Sequence, residues 1–536
     1  MPEAFDYVIV GSGPAGCVLA DRLTADGRTT VCVLEAGIPD RSPYVRIPAG
    51  FVKTLYKPGF TWEFNTEPGP GLNGRSIRLP QGRIVGGSSS VNGLVYNRGM
   101  AADFNDWAEL GNAGWSYGDV LPYFRRSERK VGDGEDQYRG RAGGLPVTHP
   151  DWPSALCEAF IAGAGQFGIP RNPDYNGATQ EGAGYFQRII HRGRRVSAAD
   201  AFLRPAIRRG KVSLRTGAQV TGIVLDGRRA TGVRFRQGAE EPVVSAREEV
   251  ILCAGTLNSP RLLELSGIGA PSVLNAAGIP VVHDLPGVGE NLRDHYTTRI
   301  VARATPGTQT INEVSRGWRL GREIARWIVG KPSILALSPS LVHVFTHSAP
   351  GLSRTDLQVL FTPASYQEGK VYVLDEHPGM SCGARPQRPH STGAVHIRSA
   401  DPSALPTVQP NYLVHEEDRR GMVAALRLSR RLLQTAAMRP FVAQETLPGK
   451  QVETDDEWLD YSMRNGGTGY HVVGTCSMGP ATNRQAVVSP ELKVHGIDTL
   501  RVVDASVMPL LPSANTMAAS LMIGEKAAEM IITARN

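Results

Sequence analysis

The alternation of apolar and polar positions is clearest over the first 36 residues. Residues 7–10, Tyr-Val-Ile-Val, form a short unbroken apolar run, as expected of a strand buried on both faces. Gly11-Ser12-Gly13-Pro14-Ala15-Gly16 interrupts it, and Val18, Leu19 and Leu23 then repeat at helical spacing through residues 15–24. A second apolar run at 31–34 ends in Glu35. The pattern predicts a strand–helix–strand unit of about 30 residues.

Farther along, residues 37–110 are rich in Gly, Pro and polar groups and predict a long surface excursion with few regular elements. Residues 155–167 have helical spacing. Three stretches, 212–216, 219–225 and 231–236, alternate as antiparallel strands do, and 249–254 is another buried strand. Between about 294 and 409 the alternation at 356–362 and 393–397 predicts a sheet, with a helix over 313–329 carrying Trp318 and Trp327. A helix over 416–437 has Met422, Leu426, Leu432 and Leu433 on one side, and the chain closes with a strand at 500–503 and a helix over 514–533. The fold class is therefore α/β, with a discontinuous layout in which the first unit is completed by later segments.

At 536 residues, more than one hydrophobic core is expected. The charge of +7 is spread along the chain rather than gathered into a stripe with interleaved aromatics, which argues against nucleic-acid binding. Local clusters such as Arg192, Arg194 and Arg195, or Arg204, Arg208 and Arg209, are expected to be solvated surface. The six cysteines lie far apart without a C-x-x-C pair, so neither a disulfide framework nor a zinc site is expected. There is no basic leader with an apolar core, and no apolar run approaches the roughly 18 residues of a membrane span. A reduced, cytoplasmic protein is the expectation.

The glycine loop carries the first chemistry. Gly11 permits the tight turn, Gly13 lets backbone approach a pyrophosphate, and Gly16 lets the helix pack on the strand. Phosphates favour the free N–H groups at a helix N-terminus, and Glu35 is placed to accept ribose hydroxyls. Strand before, helix after and acid at the next strand end together predict dinucleotide binding. That unit leaves FAD and NAD both open.

Three further segments separate them. Gly82-Arg83-Ile84-Val85-Gly86-Gly87-Ser88-Ser89-Ser90-Val91-Asn92-Gly93 is a glycine–serine loop. Gly255-Thr256-Leu257-Asn258-Ser259-Pro260 follows a buried strand, and His471-Val472-Val473-Gly474, Val503-Asp504-Ala505-Ser506 and Ser513-Ala514-Asn515-Thr516 come near the end. Together these resemble the glucose–methanol–choline (GMC) oxidoreductase family over essentially the whole chain. The resemblance implies bound FAD, a Rossmann-like FAD domain assembled from 1–150, 211–293 and 466–536, and a substrate domain with an antiparallel sheet from 151–210 and 294–465. It implies cofactor contacts at Gly11, Ser12, Gly13, Gly16, Glu35, Ala36, Trp62, Arg83, Val85, Gly87, Asn92, Gly93, Val220, Ala254, Asp504, Ala505, Thr516 and Met517. Covalently flavinylated members carry His where this chain has Val91; valine has no nucleophile, so non-covalent FAD is expected.

His471 matches the family's catalytic histidine, and Asn515 the second active-site position. Alcohol oxidation needs a base of near-neutral pKa for the hydroxyl proton. An amide cannot serve as that base, which leaves His471. The opening of the helix after Asn515 is expected to stabilise negative charge on the reduced flavin. Of the other histidines, His343 and His347 have no third ligand and His295 is expected to be structural; no metal is expected. Phe361, Tyr366, Tyr372 and the 382–388 stretch are candidates for the pocket, although Arg385 and Arg388 are more readily explained as solvated surface. The reading is oxidation of a small alcohol, expected to be primary, with O2, a quinone or a redox protein as acceptor. The alternatives are a non-redox enzyme of the same fold, such as a hydroxynitrile lyase or fatty-acid photodecarboxylase, and a nicotinamide dehydrogenase, which the later motifs oppose. No acidic or aromatic cage for choline is evident.

Overall fold

The computed structural model describes residues 3–368 and 373–535, and Tyr372 falls outside them. Two seven-stranded sheets organise the chain. In the first, the strands run in the order Val212–Thr216, Val31–Glu35, Glu3–Val10, Val243–Leu252, Arg229–Arg236 and Gln219–Asp226, with Leu500–Val502 also paired to Val243–Leu252. Glu3–Val10 pairs in parallel with both Val31–Glu35 and Val243–Leu252, which explains the unbroken apolar runs: both faces are covered. The first strand begins four residues earlier than its periodicity suggests, because Glu3, Ala4 and Phe5 are paired although none of them is fully buried.

Val212–Thr216 corrects an expectation. It pairs in parallel with Val31–Glu35, whereas Gln219–Asp226 and Arg229–Arg236 are antiparallel as their alternation predicts. A short half-buried strand alternates in either setting, so alternation alone carries no direction. The helix Pro14–Leu23 packs against the last helix, Thr516–Arg535, closely enough that a Cβ on Gly524 would lie 2.9 Å from the Ala15 Cα. Leu521, Met522, Ile523 and Ile531 of that helix are buried, each stabilising the contact by about 1.5–3 kcal/mol.

The second sheet is antiparallel, in the order Val442–Leu447, Tyr296–Ala304, Gly379–Pro386, Leu357–Thr362, Val342–Thr346 and Gly182–Tyr185, with Gly467–Thr468 also paired to Tyr296–Ala304. The helix Glu416–Leu433 lies against one face of it, burying Met422, Leu426, Leu432 and Leu433. The other face turns toward the first sheet. Period-two alternation then sorts the residues: Thr297, Arg299, Leu360 and Arg385 line the cleft between the sheets, while Val359, Phe361, Cys382 and Ala384 enter the far core. Phe361 is thus not a pocket residue. It stacks on Phe160 at 4.2 Å between centroids, one position out of register with the cleft.

Other local differences have simple causes. The helix expected over 313–329 is two pieces, Ile311–Val314 and Gly317–Ile328, broken where Gly317 takes a positive φ of 53°. Residues 37–110 hold more order than expected, including the hairpin Thr61–Asn65 with Arg78–Gly82 and the helix Ala101–Glu109. Ala394–His396 forms its own ribbon with Thr407–Gln409, outside the large sheet.

Candidate functional site

A long cleft runs between the two sheets, from Gly11, Gly13 and Glu35 at one end to Thr297, Leu360 and His471 at the other. Gly11 holds φ +103°, and a Cβ there would sit 2.4 Å from the Cys253 carbonyl oxygen. Gly16 is equally constrained, since its Cβ would meet the Gly11 carbonyl at 2.1 Å. These positions tolerate only glycine, because main chain crosses main chain there. Gly13 faces the cleft without such crowding, consistent with leaving its backbone open to a ligand.

Of the expected cofactor contacts, Gly11, Gly13, Glu35, Ala36, Trp62, Gly87, Asn92, Gly93, Val220, Ala254, Asp504, Ala505, Thr516 and Met517 all line this cleft. Ser12, Gly16, Arg83 and Val85 stand behind its wall. Ser12 donates its N–H and hydroxyl to Glu35 Oε2 at 3.1 and 2.5 Å, and the Gly37 N–H reaches Oε1 at 2.8 Å. Burial raises the Glu35 carboxyl above its ordinary range against those three donors. Arg83 lies over the Trp62 ring at 4.3 Å and donates to Gln219. Gly16 packs the helix, and the Val85 carbonyl accepts from the Ser90 hydroxyl.

Asp504 uses its oxygens on the protein itself. It accepts from the Gly255 N–H and Ser259 hydroxyl, and from the N–H and hydroxyl of Ser506. Its work is to pin the turn after Val243–Leu252 at the cleft wall. Asn92 is oriented by Arg195, whose guanidinium donates to the Asn92 side chain at 2.7 Å and to its carbonyl at 2.8 Å. Arg195 is only 2% exposed, which overturns its assignment to solvated surface. Arg204 is likewise tied down, to Asp40 and Asp200. The glycine-loop backbone, the acid at the strand end and the helix N-terminus at Thr516 fit an FAD-sized dinucleotide.

At the far end His471 and Asn515 meet as expected, with Asn515 Nδ2 2.8 Å from His471 Nε2. What the sequence reading missed is the other side of the ring. His295 is no bystander: its Nδ1 lies 3.0 Å from His471 Nδ1, and its Nε2 lies 2.6 Å from the Gln387 carbonyl. A carbonyl only accepts, so His295 Nε2 carries a proton and donates it. The neutral ring then offers a lone pair at Nδ1, to which His471 Nδ1–H donates. The chain of partners leaves the lone pair of His471 on Nε2, toward Asn515 and the cleft. The backbone N–H of His471 donates to Asp294 at 2.7 Å, and Asp294 also accepts from Tyr412 and Thr468, so the loop is fixed as well. Burial lifts the Asp294 carboxyl to about 6 despite these donors.

Arg385, in a stretch named for the pocket but itself expected in solvent, is a second correction. It is 2% exposed, not solvated, and its Nη1 lies 3.3 Å from His471 Nδ1. Strand register puts it opposite Gln358, whose side-chain oxygen takes its Nε–H at 2.7 Å. Arginine cannot accept the Nδ1 proton, so the contact is one of charge, and it opposes a second proton on His471. Burial first, then Arg385 and His295, hold the His471 imidazole well below its usual range. Arg388 is part-buried near Asp103 and does not line the cleft, nor does Tyr366. His343 sits in a strand among Tyr175, Phe186 and Phe345, while His347 faces Glu181, so these two do not share a helix face. Among the described residues no group of three or more His, Cys, Asp or Glu is arranged to hold a metal.

Comparison with known proteins bears on what this geometry serves. Two GMC oxidoreductase family models match the chain, the N-terminal one over residues 5–297 and the C-terminal one over 389–524. An oxygen-dependent choline dehydrogenase of Photobacterium profundum is 38% identical over 99% of this chain and 94% of its own length. The protein of the same description from Brucella ovis is 40% identical over 98% and 95%. Among solved structures, pyridoxine 4-oxidase from Mesorbium loti superposes with a TM-score of 0.90 at 30% identity, over 99% of each chain. A fungal aryl-alcohol oxidase gives 0.87 at 26% identity over 100% of each.

Proposed function

The chain belongs to the GMC oxidoreductase family, and from that premise we propose that His471 is the base of an FAD-dependent alcohol oxidation carried out in the cleft. The observation that carries this reading is the tautomer imposed on His471. The backbone carbonyl of Gln387, acting through His295, leaves Nε2 unprotonated on the cleft side. A substrate hydroxyl that reaches both His471 Nε2 and Asn515 Nδ2, in place of the hydrogen bond they make with each other, loses its proton to the ring. The resulting oxygen is held by that same proton and by the Asn515 amide. Bound FAD supplies the hydride acceptor for the carbinol carbon. Arg385 and burial keep His471 neutral between turnovers, so the proton does not stay on the ring. The N-terminus of Thr516–Arg535 puts backbone N–H groups and a helix dipole at the cleft. The cleft residues hold the cofactor without a covalent link, a reading supported by Val91, which lines the cleft and has no nucleophile.

We assign the substrate to uncharged primary alcohols. Among the described residues the carboxylates lining the cleft are Glu35 and Asp504, both engaged by donors. Beside His471 the lining charge is Arg385, which would repel the quaternary ammonium of choline. The named relatives are dehydrogenases and oxidases, so the non-redox reading is not favoured. The two-domain division at 1–150, 151–210, 211–293, 294–465 and 466–536 is proposed on the two sheets and their separate cores. A cytoplasmic setting is supported by six buried free cysteines. Anaerobic mixing with a panel of alcohols tests the reaction. Flavin bleaching by primary alcohols in the native protein, and its loss in His471→Ala with FAD still bound, is expected; undiminished bleaching in that variant would refute the assignment. Acid precipitation tests the cofactor linkage, since yellow colour left in the pellet contradicts non-covalent FAD.

A further inference from the structure

Among the described residues, the most exposed apolar side chains gather on and just after one short helix away from the catalytic pair. In Gly317–Ile328 and the residue after it, Trp318 is 73% exposed, Ile328 69%, Val329 67% and Ile324 40%. Leaving such groups in water is unfavourable, and single exposed residues need no explanation, but three on one twelve-residue helix with a fourth just past its end do. The opposite side anchors the helix to the fold. Glu323 is buried beneath it and accepts from the Ile334 N–H at 3.1 Å, while Trp327 Nε1 donates to the Gly193 carbonyl at 2.7 Å.

The charge flanking the apolar face is mostly basic. Arg319 and Arg322 flank the Trp318 ring at 5.9 and 5.6 Å, and Lys331 follows the helix. The Trp327 bond brings in a second basic element. Gly193 is the tip of the hairpin Ile190–His191 with Arg194–Arg195, and Arg192 and Arg194 are exposed on it. Of the acids near them, Glu313 on the preceding short helix pairs with Arg319, and Glu323 is interior. A second copy of this face would bring like charges together, whereas an anionic lipid surface complements them.

We propose that this face docks on the surface of an anionic phospholipid bilayer, with the helix lying in the plane of the headgroups. Trp318, Ile324, Ile328 and Val329 enter the acyl boundary, and Arg319, Arg322, Arg192, Arg194 and Lys331 engage lipid phosphates. No helix of the described residues is long and apolar enough to cross a membrane, so the association is peripheral. Along the chain, a short segment leads from this helix to Pro339 and Ser340 of the cleft wall.

The test is co-sedimentation of the holoenzyme with vesicles of phosphatidylcholine alone and of phosphatidylcholine mixed with phosphatidylglycerol. The native protein is expected to pellet with the mixed vesicles, to be released by salt, and to pellet poorly with the neutral ones. The Arg319→Glu/Arg322→Glu double variant is expected to lose at least about tenfold in partitioning, each lipid-facing arginine contributing severalfold. Trp318→Ser/Ile328→Ser is expected to lose a similar factor while keeping native flavin content and alcohol turnover in solution. Failure of the native holoenzyme to pellet with anionic vesicles would overturn the proposal, as would pelleting of both variants equal to native. A concentration-dependent dimer that Trp318→Ser/Ile328→Ser abolishes, with no vesicle binding by the native protein, would reassign the face to self-association.

Discussion

Replacing Arg385 by Met removes a buried positive charge 3.3 Å from His471 Nδ1 while leaving the Nε2 side of the ring untouched. At that separation and an effective dielectric of about 20, two unit charges repel by about 5 kcal/mol. Spreading each charge over its planar group brings this to roughly half, or about 2 pH units at 1.36 kcal/mol per unit. The sign follows directly. Arg385 opposes protonation of His471, so its removal lets the ring take a proton at higher pH. Burial still holds the imidazole low, being the larger cause, so the ring does not rise to the full range of a solvated histidine. The measurement is kcat/KM for a primary alcohol against pH, taken from anaerobic flavin reduction. The native enzyme is expected to stay flat through neutrality and to lose activity only in acid, where His471 protonates. In Arg385→Met the acid limb should move up by about 1–2 units, with activity at alkaline pH close to native. Arg385→Lys, which keeps a charge, should restore most of the native profile. An acid limb that stays put or moves down in Arg385→Met would refute the charge argument and leave Arg385 a packing residue.

Other expected outcomes follow from the same geometry. His471→Ala should lower the rate of flavin reduction by about 10²–10⁴-fold with FAD retained, and Asn515→Ala should cost less, since orientation rather than proton transfer is lost. His295→Leu should slow flavin reduction without displacing FAD, because it removes the acceptor that keeps the His471 proton on Nδ1; a native rate would show that the tautomer is set elsewhere. Gly11→Ala should yield protein that purifies without flavin, as its Cβ would lie 2.4 Å from a backbone oxygen; a flavin spectrum equal to native would contradict it. His396, between Glu264 and Glu290 at 2.7 and 3.1 Å, is raised from the ordinary 6.5 to about 9 by their hydrogen bonds and charge, against its burial. Its stabilisation is therefore complete below about pH 6.5 and lost as pH rises through about 9, on the order of 2–3 kcal/mol. Denaturant titrations of native and His396→Gln protein should converge over that window; a gap independent of pH would sink the linkage.

What the chain determines by itself is what neighbouring residues settle between them. Gly11 and Gly16 declare a turn against a strand: Gly11 takes a positive φ, and a Cβ on Gly16 would meet the Gly11 carbonyl only five residues back. Asn515 follows from its place just before the last helix, and His471 from its motif. The unbroken apolar runs at Val8 and Cys32 already signal strands covered on both faces. The tertiary structure decided everything that depends on partners distant in sequence. His295 joined His471 and Asn515 only when the fold set the Gln387 carbonyl behind it, 92 positions away. Arg385 and Arg195 read as solvated because arginine is seldom buried, and the cross-strand Gln358 and the backbone around Asn92 reverse that ordinary preference. Phe361 and Leu360 are both apolar and adjacent, and only sheet register chose which of them faces the cleft. Hydrophobic pattern reports that a residue is inside; which interior it enters depends on a neighbour the pattern does not contain.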